Sequence, residues 1–213
     1  MPDPSPADAV FSRATRQAQA RFGSDRLMAS KGFSTEINDE LAAFIAERDS
    51  LYVATASAAG QPYVQHRGGP PGFARVLGPT RLAFADFRGN QQYITTGNLS
   101  ENPLCQIFLM DYLEQQRVKL WGRAHFSADP ALIARLMPDA YPARPLQAFV
   151  FDLTCWDGNC TSHIPRKIDA LAVARRIAAL KARIDELEQE NVNLHARLQA
   201  GQQGRAPPGP APA

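Results

Sequence analysis

The sequence is short of the features that mark membrane, secreted and nucleic-acid-binding proteins. Its longest apolar run, Leu41–Ala46, is far below the roughly 18 apolar residues that a membrane-spanning helix needs. The first residues contain no basic region followed by an apolar stretch, so we expect no secretory signal. The 23 basic and 21 acidic residues give a formal charge of +2, without the dense basic face that duplex nucleic acid requires. We therefore predict a protein that binds neither membranes nor nucleic acid.

Cysteine is also scarce. Cys105, Cys155 and Cys160 are an odd number in a chain for which we expect no export. They are predicted to be free thiols in the reducing cytoplasm, because disulfide frameworks belong to oxidising compartments. A metal site is not predicted, since no second cysteine pair follows Cys155 and Cys160 to complete a zinc ribbon.

The 213 residues are enough for one sizeable domain with extensions, and their composition divides them into four segments. Residues 1–33 have apolar residues near helical spacing and are predicted to form a helical arm. Residues 34–166 are predicted to form an α+β domain that is mainly β-structure, and residues 167–199 a long helix. Residues 200–213 are predicted to be a disordered tail, because seven of the fourteen are Gly or Pro.

The middle segment is predicted to contain three helices and six strands. The helices lie at about Thr35–Arg48, from Asn90 to about Thr96, and at Asp129–Leu136. The strands are predicted at Leu51–Ser57, Tyr63–Arg67, Arg81–Asp86, Leu104–Asp111, Arg117–Phe126 and Gln147–Thr154. Short strands with closely spaced turn residues indicate a small antiparallel barrel rather than a parallel sheet.

A heptad pattern runs along the predicted C-terminal helix. Apolar residues and one asparagine, each spaced seven apart, occupy two core positions: Ile177, Ile184, Asn191 and Leu198 in the first, and Leu180, Leu187 and Leu194 in the second. This combination is typical of a parallel two-stranded coiled coil. The alternative is a single amphipathic helix docked on its own domain. We favour the coiled coil, because the asparagine is hard to explain on a purely apolar docking face.

Two segments concentrate polar and glycine residues at strand ends. Gln65, His66 and Arg67 finish one predicted strand, and a run of glycines and prolines follows that allows close approach of another backbone or a ligand. Asp86 ends another strand, and Asn90 is predicted to start a helix whose free amides suit a phosphate. A flavin mononucleotide (FMN) needs such groups, although strand ends also collect these residues for turn geometry alone.

The stretches Val-Gln-His-Arg-Gly-Gly-Pro-Pro-Gly (64–72) and Asp-Phe-Arg-Gly-Asn (86–90) resemble those of the pyridoxamine 5'-phosphate oxidase-like flavoproteins. The similarity covers about residues 34–166. It implies the FMN-binding split β-barrel and a homodimer with FMN at the subunit interface. It also implies an oxidoreductase that acts on a small molecule, with NAD(P)H as a candidate electron donor.

The resemblance also implies the residues of the site. At the family's positions stand Arg67, Asp86, Phe87, Asn90, Gln91, Gln92, Arg117, Trp156 and Arg166. Beside them we also predict cofactor contacts from Gln65, His66, Gly68, Arg88, Gly89, Asn159 and His163. Many relatives have basic residues where Gln91 and Gln92 stand, so the phosphate is expected to depend more on Arg67 and Arg88. Arg117 falls where the family uses a residue of the second subunit. The catalytic residue stays unassigned, with His66 as the candidate because histidine exchanges protons near neutral pH.

The same resemblance separates the chain from the biosynthetic oxidase itself. Gly72 stands where that enzyme has a lysine, and Ser162 and Ile164 stand where it has an arginine and a histidine for the substrate phosphate. We therefore expect a different substrate. Two alternatives stay open: a non-catalytic protein that stores, senses or carries a flavin or haem, and a degenerate barrel whose C-terminal helix recruits a partner.

Overall fold

The computed structural model describes residues 5–159, 162–168 and 170–203. The chain divides into two compact units, residues 1–166 and 167–213. The predicted thiol Cys160 and residues 204–213 of the predicted tail lie outside the described residues.

Seven strands form the framework of the first unit: β1 (Ser50–Ala56), β2 (Pro62–Gly68), β3 (Arg75–Gly78), β4 (Arg81–Phe87), β5 (Leu104–Asp111), β6 (Gln116–Ser127) and β7 (Pro145–Asn159). They build one antiparallel sheet in the order β2-β1-β5-β6-β7-β4-β3, so β2 and β3 are its edges. Together with the helices this sheet is consistent with a split barrel. The predicted α+β class is confirmed.

The helices of the first unit are α1 (Pro6–Val10), α2 (Arg13–Arg21), α3 (Asp25–Ser30), α4 (Asp39–Ala46), α5 (Ile94–Glu101) and α6 (Pro130–Leu136). α4 begins after Asn38, whose side chain accepts a hydrogen bond from the Leu41 amide. α6 begins after Asp129, which accepts from the Ala131 amide and precedes a proline that suits the first helical position. The second unit contains α7 (Ala170–Gln203). Within the residues that the structure describes, no helix combines the length and apolar character that crossing a membrane requires.

Alternation along the strands buries one face of the sheet. In β1, Leu51 and Val53 are buried, whereas Tyr52 between them is exposed on the other face. Across the core, Phe84 of β4 and Phe149 of β7 stack with their ring centroids 4.6 Å apart. Burial of each such side chain contributes about 1.5–3 kcal/mol. On β4 and β7 the other face is buried too, since Ala83 and Val150 pack with Leu136 of α6 in a second hydrophobic cluster.

The structure corrects two predictions of local structure. β3 was not predicted, because all four of its residues are half-buried and show no alternation. The helix predicted to start at Asn90 begins instead at Ile94, so the prediction of Asn90 as its first residue was wrong. The Asn90 side chain accepts a hydrogen bond from the Gln92 amide in a local turn, and Tyr93 takes a left-handed conformation with φ 51°. Because of these contacts the helix begins four residues later than predicted.

A buried ion pair ties α4 to the end of β5. Arg48 Nη1 lies 2.6 Å from Asp111 Oδ2, and both side chains are largely buried. The amides of Leu113 and Glu114 donate hydrogen bonds to Asp111 Oδ1. Burial alone would raise the pKa of Asp111, but the hydrogen bonds from Glu114 and Arg48 outweigh it and hold the pKa below its usual value.

Replacing Asp111 with Asn should lower the free energy of unfolding by about 2 kcal/mol at pH 7, because the buried Arg48 then keeps only the exposed carboxylate of Glu47 as an ion-pair partner. The pKa of Asp111 is lower in the folded than in the unfolded chain. Its contribution is therefore present above the unfolded-state pKa and is lost as the pH falls through the folded-state pKa. Urea unfolding should show the difference between wild type and variant shrinking below about pH 4.

The exposed Asp139 provides the control, since Asp139→Asn should change the free energy of unfolding by less than about 0.5 kcal/mol. An Asp111→Asn effect that stays constant down to pH 3 would contradict the assignment of this ion pair.

Candidate functional site

An ion pair between Arg67 and Asp86 joins two strands that are not neighbours in the sheet. Arg67 lies at the end of β2 and Asp86 at the end of β4, with Arg67 Nη1 2.5 Å from Asp86 Oδ1. Four strands separate β2 from β4 in the sheet order. The sheet therefore curls until its two ends meet, and this pair spans the gap between them.

Two further side-chain hydrogen bonds connect the elements around the gap. Gln147 Nε2 of β7 donates a hydrogen bond to Asp86 Oδ2 at 3.0 Å. Thr95 Oγ1, in the first turn of α5, donates to Gln65 Oε1 of β2 at 2.7 Å. Gln65 and Arg67 pair with the buried residues of β1, so they lie on the inner face of their strand. The start of α5 is thus fixed beside the gap.

The gap contains a cavity of about 350 Å³. Eight predicted site residues line it: Gln65, His66, Arg67, Gly68, Asp86, Phe87, Arg88 and Gly89. A smaller cavity shares Gln65, Arg67, Phe87 and Gly89 with it and continues past Asn90 and Gln91 towards the start of α5. The structure therefore brings most of the first two predicted segments together around one space.

Two kinds of hydrogen-bond donor at this space are available to a ligand in the part of the chain that the structure describes. Arg67 Nε is buried and has no hydrogen-bond partner among the described residues. The first turn of α5 follows Tyr93, whose side chain makes no cap hydrogen bond, so its backbone amides are uncapped. A buried unpaired donor costs about 1–3 kcal/mol, which a ligand with acceptor oxygens would recover. The site therefore suits such a ligand.

The charge of the site is lower than its arginines suggest. Arg67 and Asp86 are 16% and 8% exposed and neutralise each other. Arg88 is exposed and makes no ion pair among the described residues, so it is the cation that remains for an anionic ligand. Gln92 is exposed, contacts Asn90, and lines neither of the two cavities.

His66 occupies a different face from its neighbours. Gln65 and Arg67 face the inside, whereas the exposed His66 ring packs edge-on against Tyr52 with centroids 5.6 Å apart. His66 therefore lies at the rim of the cavity, and its ring is directed to the outer face of the sheet.

Sequence reasoning missed several residues of the site. Phe73 and Tyr141 line the larger cavity, and Thr95 lines the smaller one. Tyr141 packs against Phe87 with ring centroids 5.2 Å apart. Gln147 reaches Asp86 from a neighbouring strand. Tyr141 and Gln147 lie more than 50 residues along the chain from Asp86, so no local pattern pointed to them.

The remaining predicted residues lie elsewhere. Arg117 and Trp156 line a separate cavity of about 430 Å³ beside α4. Arg117 Nε is also buried without a hydrogen-bond partner among the described residues, and Trp156 Nε1 donates to the Glu36 carbonyl. Asn159 pairs with Arg117 through the backbone, but its side chain lies outside the described part.

His163 and Arg166 are exposed and line none of these cavities. Trp156 is far from Asp86 along β7. Gln147 lies beside Asp86, and Trp156 follows nine positions later, about 30 Å along an extended strand. The cavity beside Arg117 and Trp156 shares no lining residue with the two cavities at the gap.

A fourth cavity, of about 340 Å³, lies between α1 and the outer face of the sheet. Cys105 and Trp121 line it, and Phe33 packs edge-on against Trp121 with centroids 6.0 Å apart. Cys105 and Cys155 are free and buried, and burial raises the pKa of the Cys105 thiol to about 12. Cys105 is therefore a poor nucleophile. In the part of the chain that the structure describes, no group of three His, Cys, Asp or Glu side chains is placed to hold a metal ion.

The curled antiparallel sheet, with a cavity and unpaired donors at its gap, defines a barrel of the split type that is suited to a small ligand. The sequence model of the family described as pyridoxamine 5'-phosphate oxidase matches residues 37–160, which is more than half of the chain. The chain therefore belongs to the pyridoxamine 5'-phosphate oxidase-like family of flavin-binding proteins. Among curated protein sequences, none matches this chain.

Solved structures resemble the chain over part of its length. HupZ of Group A Streptococcus is 16% identical, with 62% of this chain and 99% of that chain covered and a TM-score of 0.48. An FMN-binding protein from Syntrophomonas wolfei is 11% identical, with 68% and 97% covered and a TM-score of 0.43. A pyridoxamine 5'-phosphate oxidase-related, FMN binding protein from Nostoc punctiforme is 17% identical, with 52% and 73% covered and a TM-score of 0.40. The family assignment depends on the match over residues 37–160 alone.

A double-mutant cycle should measure how strongly the gap depends on its ion pair. Arg67→Met and Asp86→Asn are each expected to lower the free energy of unfolding by about 3 kcal/mol, because each leaves a buried charge alone. The double variant should lose at least about 1 kcal/mol less than the sum. Chemical denaturation of the four proteins gives the coupling energy.

The matched control is Arg81–Asp152, which joins β4 to β7 at 2.6 Å but is 53% and 39% exposed. Its cycle (Arg81→Met, Asp152→Asn) should give almost no coupling, since solvent screens exposed pairs. Equal coupling in the two cycles would show that Arg67–Asp86 behaves as an ordinary surface pair.

Proposed function

We propose that this chain binds FMN in the gap between β2 and β4 and acts as an oxidoreductase on a small molecule. The observation that carries the proposal is the buried, unpartnered Nε of Arg67 beside the uncapped first turn of α5. Membership of a flavin-binding family supports the choice of ligand. FMN is favoured over a larger flavin because the cavities are small and end at a helix start that suits one phosphate.

The residues present fit FMN by type. Arg88 and the amides at the start of α5 would hold the phosphate, and Arg67 Nε and Gln65 would meet acceptor atoms along the ring edge. Phe87 and Tyr141 supply apolar walls that exclude water. Bound flavin supplies hydride or electron transfer, and the protein supplies orientation and electrostatics.

A second copy of the chain would complete the site. The cavity beside Arg117 and Trp156 shares no lining residue with the cavities around Arg67. We infer that these two groups of residues are half-sites, and that each is completed by the other half-site of a second copy. We assign Asn159, His163 and Arg166 to this second half-site as well. The outer face of the sheet supports a homodimer, since Tyr52 and Val64 leave apolar surface exposed there.

The substrate is proposed to differ from pyridoxamine 5'-phosphate. Gly72 has φ 81° in a tight turn and carries no cation. Ile164 is buried, and its carbonyl accepts a hydrogen bond from Gln115 Nε2. A substrate phosphate would therefore find no anchor at these positions. We propose an unidentified small molecule as substrate and NAD(P)H as electron donor, in the cytoplasm. His66 at the rim stays the candidate for proton exchange.

The proposed ligand is tested by titrating purified protein with FMN and following flavin absorbance and fluorescence. The decisive variant is Arg67→Lys, which retains a cation for Asp86 but lacks the Nε donor. We expect wild type to retain FMN after desalting and Arg67→Lys to bind it at least tenfold more weakly, the effect of one charge-assisted hydrogen bond of about 1.5–3 kcal/mol. The melting temperature should change little.

Arg123→Lys, on an exposed strand residue outside the cavities, is the control and should bind FMN like wild type. Equal binding by Arg67→Lys and wild type would remove Arg67 Nε from the site. A haem spectrum, or no retained flavin, would overturn the proposed cofactor. Retained flavin that NADPH does not reduce would favour a carrier or sensor over an oxidoreductase that uses this donor.

Complementation between two defective variants tests whether each site uses two copies. Arg67→Lys damages one half-site and Arg117→Met the other. Co-expression with two different tags yields mixed dimers that hold one intact and one doubly altered site. Flavin binding should recover to about a quarter of all sites in a random mixture. Each variant expressed alone is the control. If purified mixed dimers do not recover flavin binding, both residues belong to the site of a single chain.

A further inference from the structure

The second unit exposes a continuous apolar stripe. Along α7, apolar side chains recur at coiled-coil spacing and are between 39% and 64% exposed: Val173, Ile177, Leu180, Ile184, Leu187, Leu194 and Leu198. The match to the family ends at residue 160, so this stripe is outside the part that the family model describes. We call this stripe the seam of α7. A helix of 34 residues with one such exposed apolar seam is typical of a helix that pairs with another helix.

The spacing of the seam specifies another helix of the same kind. Ile177, Ile184 and Leu198 are separated by multiples of seven, and the leucines of the second core position follow at the same interval. Isoleucine at the first position and leucine at the second favour two strands over three or four. A second copy of α7 provides a complementary seam of the same length.

One polar residue in the seam determines whether the two helices pair in parallel or antiparallel. In a parallel, in-register pair Asn191 faces Asn191 of the second copy, and the two side-chain amides can hydrogen-bond to each other. In an antiparallel pair that aligns the two seams, Asn191 would face Leu180 and leave a buried amide without a partner. The parallel arrangement is therefore favoured.

The flanking charges agree with pairing but do not set its direction. In a parallel pair, Arg183 meets Glu188 of the second copy, whereas in an antiparallel pair it meets Glu190. Arg176 opposite Lys181 in the parallel pair is repulsive. The orientation thus depends on Asn191, and a test must report direction as well as association.

We propose that α7 pairs in parallel and in register with α7 of a second copy of this chain, and that this pairing keeps the two half-sites for flavin in one assembly. The statement that pairing keeps the two half-sites together rests on the proposed function. A coiled coil makes the contact between the two barrels intramolecular and so raises their effective concentration. A closed dimer further requires that both contacts share one two-fold axis.

The direction of pairing is tested by disulfide cross-linking in the full-length chain with Cys160 replaced by Ser. Cys105 and Cys155 are buried and serve as an unreactive background. Ile177→Cys places a thiol in the seam, and the adjacent Ala178→Cys places one outside it. Under mild oxidation, Ile177→Cys should form a covalent dimer on a non-reducing gel, and Ala178→Cys should stay a monomer.

In an antiparallel pair, Ile177 would face Leu194 of the second copy, and the two Ile177 positions would lie about 25 Å apart. A cross-link that forms only when Ile177→Cys and Leu194→Cys proteins are co-expressed would overturn the parallel assignment. Absence of a cross-link in both experiments would overturn pairing itself and favour a helix that docks on its own chain.

The link to the flavin site is tested by dilution. Leu187→Glu disrupts the seam, and Val192→Glu, on an exposed position outside it, is the matched control. The seam variant should release FMN at protein concentrations at least about tenfold higher than wild type or the control. Identical release would overturn the link. If the Ile177 cross-link forms but no protein retains FMN, the coiled coil stands and the proposed function fails.

Discussion

The contact between Arg67 and Asp86 is the constraint on which the first unit depends. β2 is one edge of the sheet and β4 lies next to the other, and this pair joins β2 to β4, between which the described strands have no backbone ladder. Because both charges are largely buried, neither can be lost without exposing the other to an apolar environment. The same contact uses Arg67 Nη1 and leaves Nε without a hydrogen-bond partner among the described residues. Stability of the barrel and availability of a ligand donor therefore come from one side chain.

The pairing of Arg67 with Asp86 determines how the site can attract a ligand. The cation that is best buried is already neutralised by Asp86, and the one that is free, Arg88, is exposed to solvent. Net charge therefore contributes little, and oriented donors contribute most. Gln91, which lines the smaller cavity, is neutral and fits the same pattern. Such a site selects by hydrogen-bond geometry and discriminates weakly by charge.

Local sequence patterns predicted most of the sheet and only part of the site. All six predicted strands are present, five of them within one residue of their ends, and β7 is longer than predicted. Half-buried β3 had no pattern to recognise. Asn90 has the chemistry of a helix start, but its side chain bonds to Gln92 instead. The partners of Asp86 lie 19 and 61 residues away along the chain, so only the folded sheet brings them together.

Closure of the barrel by side chains has a consequence for how such a fold can diversify. The six ladders that carry the backbone hydrogen bonds run from β2 to β3 without crossing the gap. Substitutions at the gap can thus exchange one ligand for another without breaking a single ladder bond. The backbone ladders are thus independent of most residues around the cavities, Arg67 and Asp86 being the exceptions, so one scaffold can acquire unrelated chemistries.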